Sequence, residues 1–207
     1  MGHEGSSLRK STARKEPLVS RAKRRTVVIA TAVLAVLLAG GLAIALLSQE
    51  KGNASESVVE YQAGHRPAVP DFTATSLTGA TIKMSGYRGK TVVLNFWGSW
   101  CPPCRDEAPT LAVLSEQYGK QGVAFLGDDV GDTPANALAF TKSIGIGYPS
   151  INDPGYAVVQ KFSQVAPVSD TPTTVVIDKT GHLVGIVLGK VSYGQMTTLL
   201  RDAEVTQ

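Results

Sequence analysis

The chain of 207 residues is 43% hydrophobic and carries a formal net charge of +3, which fits one domain of ordinary size with an additional segment. The positive charge lies at the start of the chain, where eight Lys or Arg and two Glu precede residue 26. This tail therefore carries +6 and the remainder −3, so the charge gives no reason to expect nucleic-acid binding by the folded part.

An apolar segment follows the basic tail. Residues 26–47, TVVIATAVLAVLLAGGLAIALL, contain no charged side chain and are long enough to cross a hydrocarbon layer of about 30 Å as a helix. The positive-inside bias predicts that residues 1–25 form a cytoplasmic tail. We therefore expect a single-pass signal anchor in the cell membrane, with the rest of the chain outside the cytoplasm. The alternative is a signal peptide cleaved at Ala39-Gly40-Gly41, which also places the domain outside.

Residues 48–67 are mostly small and polar and show no sustained period, so they are predicted to form a flexible linker. The folded domain is expected over residues 68–207. It begins with PDFTATSLTGATIKM, in which apolar and polar residues alternate around Thr78-Gly79. This alternation predicts two short strands joined by a turn.

Strand and helix patterns follow this hairpin. KTVVLNFWG, residues 90–98, is a short apolar run typical of a buried central strand. A helix is predicted over residues 102–119, with Leu111, Leu114 and Tyr118 at helical spacing.

A second buried strand, GVAFLGDD, precedes a helix predicted over residues 133–143, whose inward side chains are expected to be Ala135, Leu138 and Ala139. A short helix is expected at residues 155–162. TTVVIDKTGHLVGIVLG predicts two strands joined by a turn, and residues 192–203 predict a closing helix. This order predicts an α/β fold in which helices cover both faces of a mixed sheet.

Both cysteines lie in WGSWCPPCRDEAP, residues 97–109, where the predicted strand ends and the helix begins. Backbone N–H groups at a helix start stabilise a thiolate, which is the reactive form of Cys101. Cys104 lies within the first turn, close enough to attack a mixed disulfide at Cys101. The intervening prolines are tolerated because first-turn N–H groups have no intrahelical partners. The pattern predicts a redox-active pair.

Other uses of the two cysteines fit the sequence less well. A structural zinc site needs four ligands, and the remaining candidates are His3, His65 and His182, which the predicted topology separates; no metal is expected. Arg105 stands where a haem-attachment motif needs histidine. A disulfide that closes so short a loop restrains little of the unfolded chain, so a purely structural bridge is disfavoured.

The stretches VVLNFWGSWCPPCRDEAP and DTPTTVVIDKTGHLVG together resemble the thioredoxin superfamily, and more narrowly its membrane-anchored TlpA/ResA-like branch of thiol–disulfide oxidoreductases. The resemblance covers roughly residue 69 to the C terminus. It implies a thioredoxin fold with an added N-terminal hairpin and an inserted helix. It also implies a protein-disulfide reductase outside the cytoplasmic membrane; several members of the branch keep the haem-site cysteines of apocytochrome c reduced for cytochrome c maturation.

The resemblance assigns roles to individual residues. Cys101 matches the nucleophile and Cys104 the resolving thiol. Thr171 and Pro172 match the cis-proline pair of the family, which faces the cysteines and leaves the Thr171 backbone free to pair with a substrate strand. The alternative for Pro172 is an ordinary trans proline at the start of an edge strand. Pro109 matches the proline that kinks the active-site helix.

Four further positions near the cysteines are candidates for roles in the site. Glu107, one turn after Cys104, lies where some members of the branch place an acid; it is a candidate proton relay for the resolving thiol, and the alternative is a solvated helix glutamate. Asn95 occupies the position of the buried carboxylate of general thioredoxins. Trp97 is expected in the core, and Trp100 on a docking surface for the substrate.

The predicted reaction requires no metal or organic cofactor besides the Cys101–Cys104 pair. Reduced Cys101 attacks a disulfide of a protein substrate, possibly apocytochrome c, and Cys104 then releases the reduced substrate. A membrane protein that carries electrons outward is expected to reduce the enzyme again. Three alternatives stay open: an extracytoplasmic disulfide oxidase, a thioredoxin-fold copper chaperone, and a peroxiredoxin. The cysteine spacing and histidine of the chaperone are absent, and Gly98 replaces the threonine of the peroxiredoxin signature.

Overall fold

The structure, a computed structural model, describes residues 57–204. Two units are distinguished along the chain, Met1–Asn53 and Ala54–Gln207, and the first lies outside the described residues. The predicted cytoplasmic tail, the predicted membrane anchor and residues 48–56 of the predicted linker therefore lie outside them too. No helix among residues 57–204 has the length and apolar character that a membrane span requires.

Eight strands form the two sheets of the described domain. They are β1 (Ser57–Glu60), β2 (Thr73–Thr75), β3 (Thr81–Lys83), β4 (Val92–Trp97), β5 (Ala124–Val130), β6 (Ser150–Asp153), β7 (Thr173–Ile177) and β8 (Leu183–Leu188). Six of them make one mixed sheet in the order β1-β8-β7-β4-β5-β6, and β2 and β3 pair separately as the predicted hairpin. β4 lies parallel to β5 and antiparallel to β7. All six residues of β4 are buried, as its apolar run predicts for a central strand.

Helices cover both faces of this sheet, as predicted. They are α1 (Pro102–Gly119), α2 (Pro134–Ile144), α3 (Ala157–Phe162) and α4 (Tyr193–Glu204). On one face, Leu111 and Leu114 of α1 and Met196 of α4 pack in one apolar cluster with strand residues. On the other face, Phe162 of α3 contacts Phe96 of β4 edge-on, with ring centroids 5.4 Å apart. The predicted spans of all four helices agree with the structure to within two residues.

The prediction of a flexible linker is wrong for residues 57–67. β1 pairs with β8 over four residues, and the Tyr61 N–H donates to the Val184 carbonyl at 2.9 Å. Arg66 forms an ion pair with Asp178 at 3.2 Å, with both side chains 8% exposed. No alternation marks β1 as a strand in the sequence, because β1 is an edge strand of four residues, three of them exposed.

Strand β6 and the buried face of α2 also differ from expectation. β6 has the sequence SIND, in which three of four residues are polar, so its parallel pairing with β5 was missed. The residues of α2 predicted to point inward are exposed, and its buried residues are Ala137 and Phe140. Phe140 packs against Trp97 with ring centroids 5.6 Å apart. The face of α2 that was predicted to be buried and the face that is buried both carry apolar residues. The contact of Phe140 with Trp97 therefore decides which face is buried.

Candidate active site

Cys101 and Cys104 form a disulfide at the N terminus of α1. Cys101 is the N-cap residue, and its Sγ accepts a hydrogen bond from the Cys104 N–H at 3.2 Å. Pro102 and Pro103 occupy the first helical positions, where a missing N–H leaves no intrahelical bond unmade. The Cys101 sulfur therefore lies at the positive end of the helix dipole, where a thiolate is stabilised.

The loop before Cys101 is fixed by side chains from other elements. The N–H and hydroxyl of Ser99 both donate to Asp132 Oδ2, and the Thr133 N–H donates to Asp132 Oδ1 at 2.7 Å. Burial works against ionisation of Asp132, but hydrogen bonds from Ser99, Thr133 and Asn136 outweigh it and lower the pKa of this carboxyl. Arg105 donates to the Ser99 carbonyl at 3.2 Å. These hydrogen bonds hold the loop at Ser99 in place, two residues before Cys101.

Glu107 is buried, with 1% of its surface exposed, so the alternative of a solvated helix glutamate is wrong. Its Oε1 accepts a hydrogen bond from Asn95 Nδ2 at 2.8 Å, and its Oε2 accepts one from the Val191 N–H at 2.7 Å. Burial, followed by the negative charge of Glu107, raises the pKa of the Tyr148 phenol. The acid that strand β4 lacks at Asn95 is therefore supplied by helix α1, one turn after Cys104.

The two tryptophans have different environments, as predicted. Trp97 is buried, with 4% of its surface exposed, whereas Trp100 is 53% exposed. The Trp100 indole N–H donates to the Val130 carbonyl at 3.0 Å, and a Cβ at Gly98 would overlap the indole ring. Trp100 is therefore exposed but held in one position.

The peptide bond between Thr171 and Pro172 is cis, as the resemblance implies, and the ordinary trans alternative is wrong. Thr173 lies opposite Phe96 in the antiparallel pairing of β7 with β4, so the Thr-Pro pair is brought to the end of β4 that leads to the cysteines. Thr171 and Trp100 line the same cavity. Pro109 lies inside α1, as the resemblance implies.

A second group of acids lies at the end of β5 and was missed in the sequence. Neither oxygen of Asp128 or Asp129 accepts a hydrogen bond from the described residues, although both side chains are fully buried. Asp128 faces Asp153, whose two oxygens accept the N–H groups of Ala157 and Val158 at 2.7 and 2.8 Å. The two adjacent aspartates that end the apolar stretch GVAFLGDD were the sequence signal that could have indicated these buried acids.

The environment of these acids favours their neutral form. Burial, then the charges of Asp153 and Asp129, raise the pKa of Asp128 well above its ordinary value. Burial, then the charge of Asp132, raise the pKa of Asp129 to about 7. Asp153 already accepts two N–H donors, so it offers Asp128 a neighbouring negative charge and no donor. No group of three or more His, Cys, Asp or Glu within residues 57–204 has the geometry to hold a metal ion.

Comparisons with known proteins agree with this geometry. The model of a family described as AhpC/TSA matches residues 66–186. The thiol-disulfide oxidoreductase ResA of Geobacillus kaustophilus is 35% identical over 167 residues, which cover 81% of this chain and 90% of that protein.

Solved structures show the same similarity. A DsbF homologue from Corynebacterium diphtheriae is 31% identical, with a TM-score of 0.66 over 72% of this chain and 95% of that one. A secreted thiol-disulfide isomerase from Corynebacterium glutamicum is 29% identical, with a TM-score of 0.67 over 74% of this chain and 95% of that one. These similarities confirm the fold that the two motifs predict.

Proposed function

Because the chain belongs to the AhpC/TSA family of the thioredoxin superfamily and is a thiol–disulfide oxidoreductase homologous to ResA, we propose that it is a membrane-anchored reductase of protein disulfides outside the cytoplasm. The observation that carries the proposal is the Cys101–Cys104 disulfide at the start of α1, beside an exposed Trp100 and a cis Thr171-Pro172 bond. A dithiol at this position can exchange with an extended polypeptide that lies along the Thr171 backbone.

The reaction conserves electrons without a metal or an organic cofactor. The Cys101 thiolate attacks one sulfur of the substrate disulfide, forms a mixed disulfide and expels the other sulfur, which takes up a proton. The Cys104 thiol loses its proton and attacks the Cys101 sulfur, so the second substrate sulfur leaves and is protonated in turn. The substrate gains two electrons and two protons, and the enzyme is left with the Cys101–Cys104 disulfide.

We assign Glu107 as the group that accepts the proton of the Cys104 thiol and later returns it. Residues three positions apart on a helix lie about 5–6 Å from each other between their Cβ atoms, so Glu107 is a near neighbour of the resolving thiol. Its carboxyl group is held by Asn95 and Val191 and is buried. A buried and oriented acid is suited to accept the proton when Cys104 attacks and to return it when the enzyme is reduced again.

The prolines between the cysteines support a reductase rather than an oxidase. Neither Pro102 nor Pro103 has an N–H to donate to the Cys101 sulfur, and neither carries a positive charge. The Cys104 N–H is the donor that reaches this sulfur in the described residues. A less stabilised thiolate makes the dithiol a better electron donor, because strong oxidants of this type are those whose reduced form is stabilised.

Location and partners complete the proposal. The uncharged segment at residues 26–47 supports a single-pass anchor with a cytoplasmic N terminus. The substrate is a protein disulfide outside the cytoplasm, such as the haem-site cysteines of apocytochrome c in cytochrome c maturation, and the electrons come from a membrane protein. A reporter that is active only outside the cytoplasm, fused after Gln207, is expected to be active and to sediment with membranes. Its release into the soluble fraction would contradict the anchor.

Trapping of mixed disulfides tests the reaction. In Cys104→Ser the Cys101 thiolate still attacks, but no second thiol releases the substrate, so mixed disulfides with extracytoplasmic proteins accumulate in cells. The matched Cys101→Ser variant is expected to trap none. Absence of any adduct in Cys104→Ser contradicts the assignment of Cys101 as nucleophile, and adducts that lack cytochrome c precursors contradict the proposed substrate.

The reduction potential separates the proposed reductase from an oxidase that uses the same residues. Equilibration of the Cys101–Cys104 pair with glutathione buffers is expected to give a potential near that of thioredoxin, about −270 mV. A value near that of the strong oxidant DsbA, about −120 mV, would assign the reverse reaction. Copper(I) titration and a peroxide-consumption assay test the copper-chaperone and peroxiredoxin alternatives.

A further inference from the structure

A cavity of about 250 Å³ opens beside the active-site loop. Nine of the described residues line it, among them Trp100, which precedes the nucleophilic Cys101, and Thr171, whose backbone is the proposed pairing site for the substrate. A polypeptide joined to Cys101 and paired with Thr171 must therefore pass the mouth of this cavity. The side chains next to the reacting cysteine of this polypeptide can therefore reach the cavity.

The walls of the cavity include two exposed aromatic side chains. Trp100 is 53% exposed and Tyr156 is 41% exposed. Trp100 is fixed by its hydrogen bond to the Val130 carbonyl. Tyr156 has a φ of 59°, the left-handed conformation, which is unfavourable for a residue other than glycine. Its hydroxyl lies over Gly131, where a Cβ would overlap it. The chain thus keeps an unfavourable backbone conformation at the residue that forms this wall.

The remaining lining combines an apolar floor with one carboxylate. Phe96, Val130 and Val168 are 0–1% exposed and form the buried side of the cavity. Asp170 is exposed and is the one charged residue among the nine that line it. The hydroxyl of Ser169 donates to Asp170 Oδ2 at 3.4 Å. A guest therefore meets apolar surface inside, two aromatic rings at the sides and a negative charge at the rim.

We propose that this cavity is a subsite for a lysine or arginine side chain that lies within two residues of the reacting cysteine of the substrate. The side chain lies across the mouth of the cavity, with its aliphatic part against the apolar lining and its cation at the aromatic rings and Asp170. A neutral apolar guest would gain nothing from the charge of Asp170, and an acidic guest would be repelled by it. This assignment rests on the proposed function, because it describes how the same reductase selects its substrate.

Peptide disulfides that differ at one position test the subsite. Four peptides are prepared in which the residue next to the reacting cysteine is Lys, Glu, Leu or Gly. The reduced full-length protein in detergent is mixed with each, and the second-order rate constant for release of the peptide thiol is measured. The Lys peptide is expected to react roughly tenfold faster than the Glu peptide at low ionic strength, with Leu and Gly between them, and this ratio should fall as salt is added.

Two variant pairs identify the groups responsible. Asp170→Asn is expected to reduce the Lys-to-Glu ratio several-fold, while Glu116→Gln, the same charge change at an exposed position near the far end of α1, preserves it. Tyr156→Leu is expected to slow the Lys peptide more than the Leu peptide, and Tyr156→Phe, which keeps the aromatic ring, is expected to leave their ratio unchanged.

Each outcome distinguishes the subsite from the proposed function. If all four peptides, including Gly, are reduced at the same rate, the reductase stands and the subsite is wrong. A ratio that survives Asp170→Asn, or a Leu peptide that is fastest throughout, also overturns the cationic subsite. If none of the peptides is reduced, the proposed function fails and the subsite fails with it.

Discussion

Glu107 and Asp128 are buried to the same extent, with 1% and 0% of their surfaces exposed, yet their surroundings differ. Glu107 accepts hydrogen bonds from Asn95 and from the Val191 backbone. Asp128 accepts none from the described residues and faces the carboxyl group of Asp153. Burial alone penalises the charged form of both acids. The N–H donors around them decide whether a buried acid is held as an acceptor or must carry a proton.

This difference separates two kinds of buried acid in one domain. Glu107 is built into the structure as an acceptor, so removing it leaves the Val191 N–H without its acceptor. Asp128 is compatible with the fold when it is protonated and donates to Asp153, so its ionisation works against the fold. Substitution of Glu107 is therefore expected to destabilise the domain, whereas substitution of Asp128 is expected to stabilise it at high pH, and the two effects can be measured separately.

The largest effect is expected for Glu107→Ala. The substitution removes the acceptor of the buried Val191 N–H and one of the two acceptors of Asn95 Nδ2, which keeps Thr174 Oγ1. A buried donor left unsatisfied typically costs about 1–3 kcal/mol. Urea unfolding of the oxidised protein measures the loss in free energy of unfolding. Glu107→Gln, which keeps one acceptor oxygen and the side-chain volume, is expected to lose less. A loss below about 1 kcal/mol in Glu107→Ala would show that these hydrogen bonds do not hold the helix to β4 and Val191.

A smaller effect of opposite sign is expected for Asp128→Asn. The folded-state pKa of Asp128 is raised, so the folded protein holds a proton that the unfolded chain has lost. Its stability therefore falls as pH rises from about 4 to the folded pKa, by up to about 1.4 kcal/mol per pH unit for one group. Asparagine donates to Asp153 at every pH. The variant should match the parent near pH 5 and exceed it by about 1–3 kcal/mol at pH 8.

Asp106→Asn provides the control for this pH dependence. It makes the same charge change at an exposed position of α1, so the difference from the parent should be equal at pH 5 and pH 8. If Asp128→Asn behaves in the same way, the pKa of Asp128 is not raised, and the contrast with Glu107 disappears.

The smallest effect is expected for the pKa of Asp129, which, like Asp128, accepts no hydrogen bond from the described residues. Its pKa of about 7 is raised first by burial and then by the charge of Asp132. Asp132→Asn removes this negative charge, so the pKa of Asp129 should fall by up to about one unit. A carbon-detected NMR titration of the aspartate carboxyls measures it. The pKa remains above its ordinary value because burial persists, and an unchanged pKa would mean that burial acts alone.

Local patterns in the sequence predicted the elements that carry the chemistry. The apolar run that ends at Trp97 and the two prolines after Cys101 predicted the strand and the helix start, because these features depend on neighbours in sequence. The partners of Glu107 could not be found in this way. Asn95 and Val191 reach it from two other parts of the chain, and no spacing in the sequence records their contact.

The errors have the same origin. β1 and β6 are short edge strands with few apolar residues, so their existence depends on the strands beside them rather than on their own composition. The buried face of α2 was decided by Trp97, which lies on a different element. A single sequence predicts what a segment favours by itself, and these three features depend on what it contacts.

The pairing of β1 with β8 fixes the order in which the domain can be completed. Ser57 lies opposite Leu188, so β1 is synthesised first and its neighbour in the sheet comes near the end. Chains grow at about 5–20 residues per second, so roughly ten seconds separate the two strands during synthesis. β4 and β5 are neighbours in the chain and can pair in that interval. β1, the first strand made, can join the sheet only after nearly the whole domain has been synthesised.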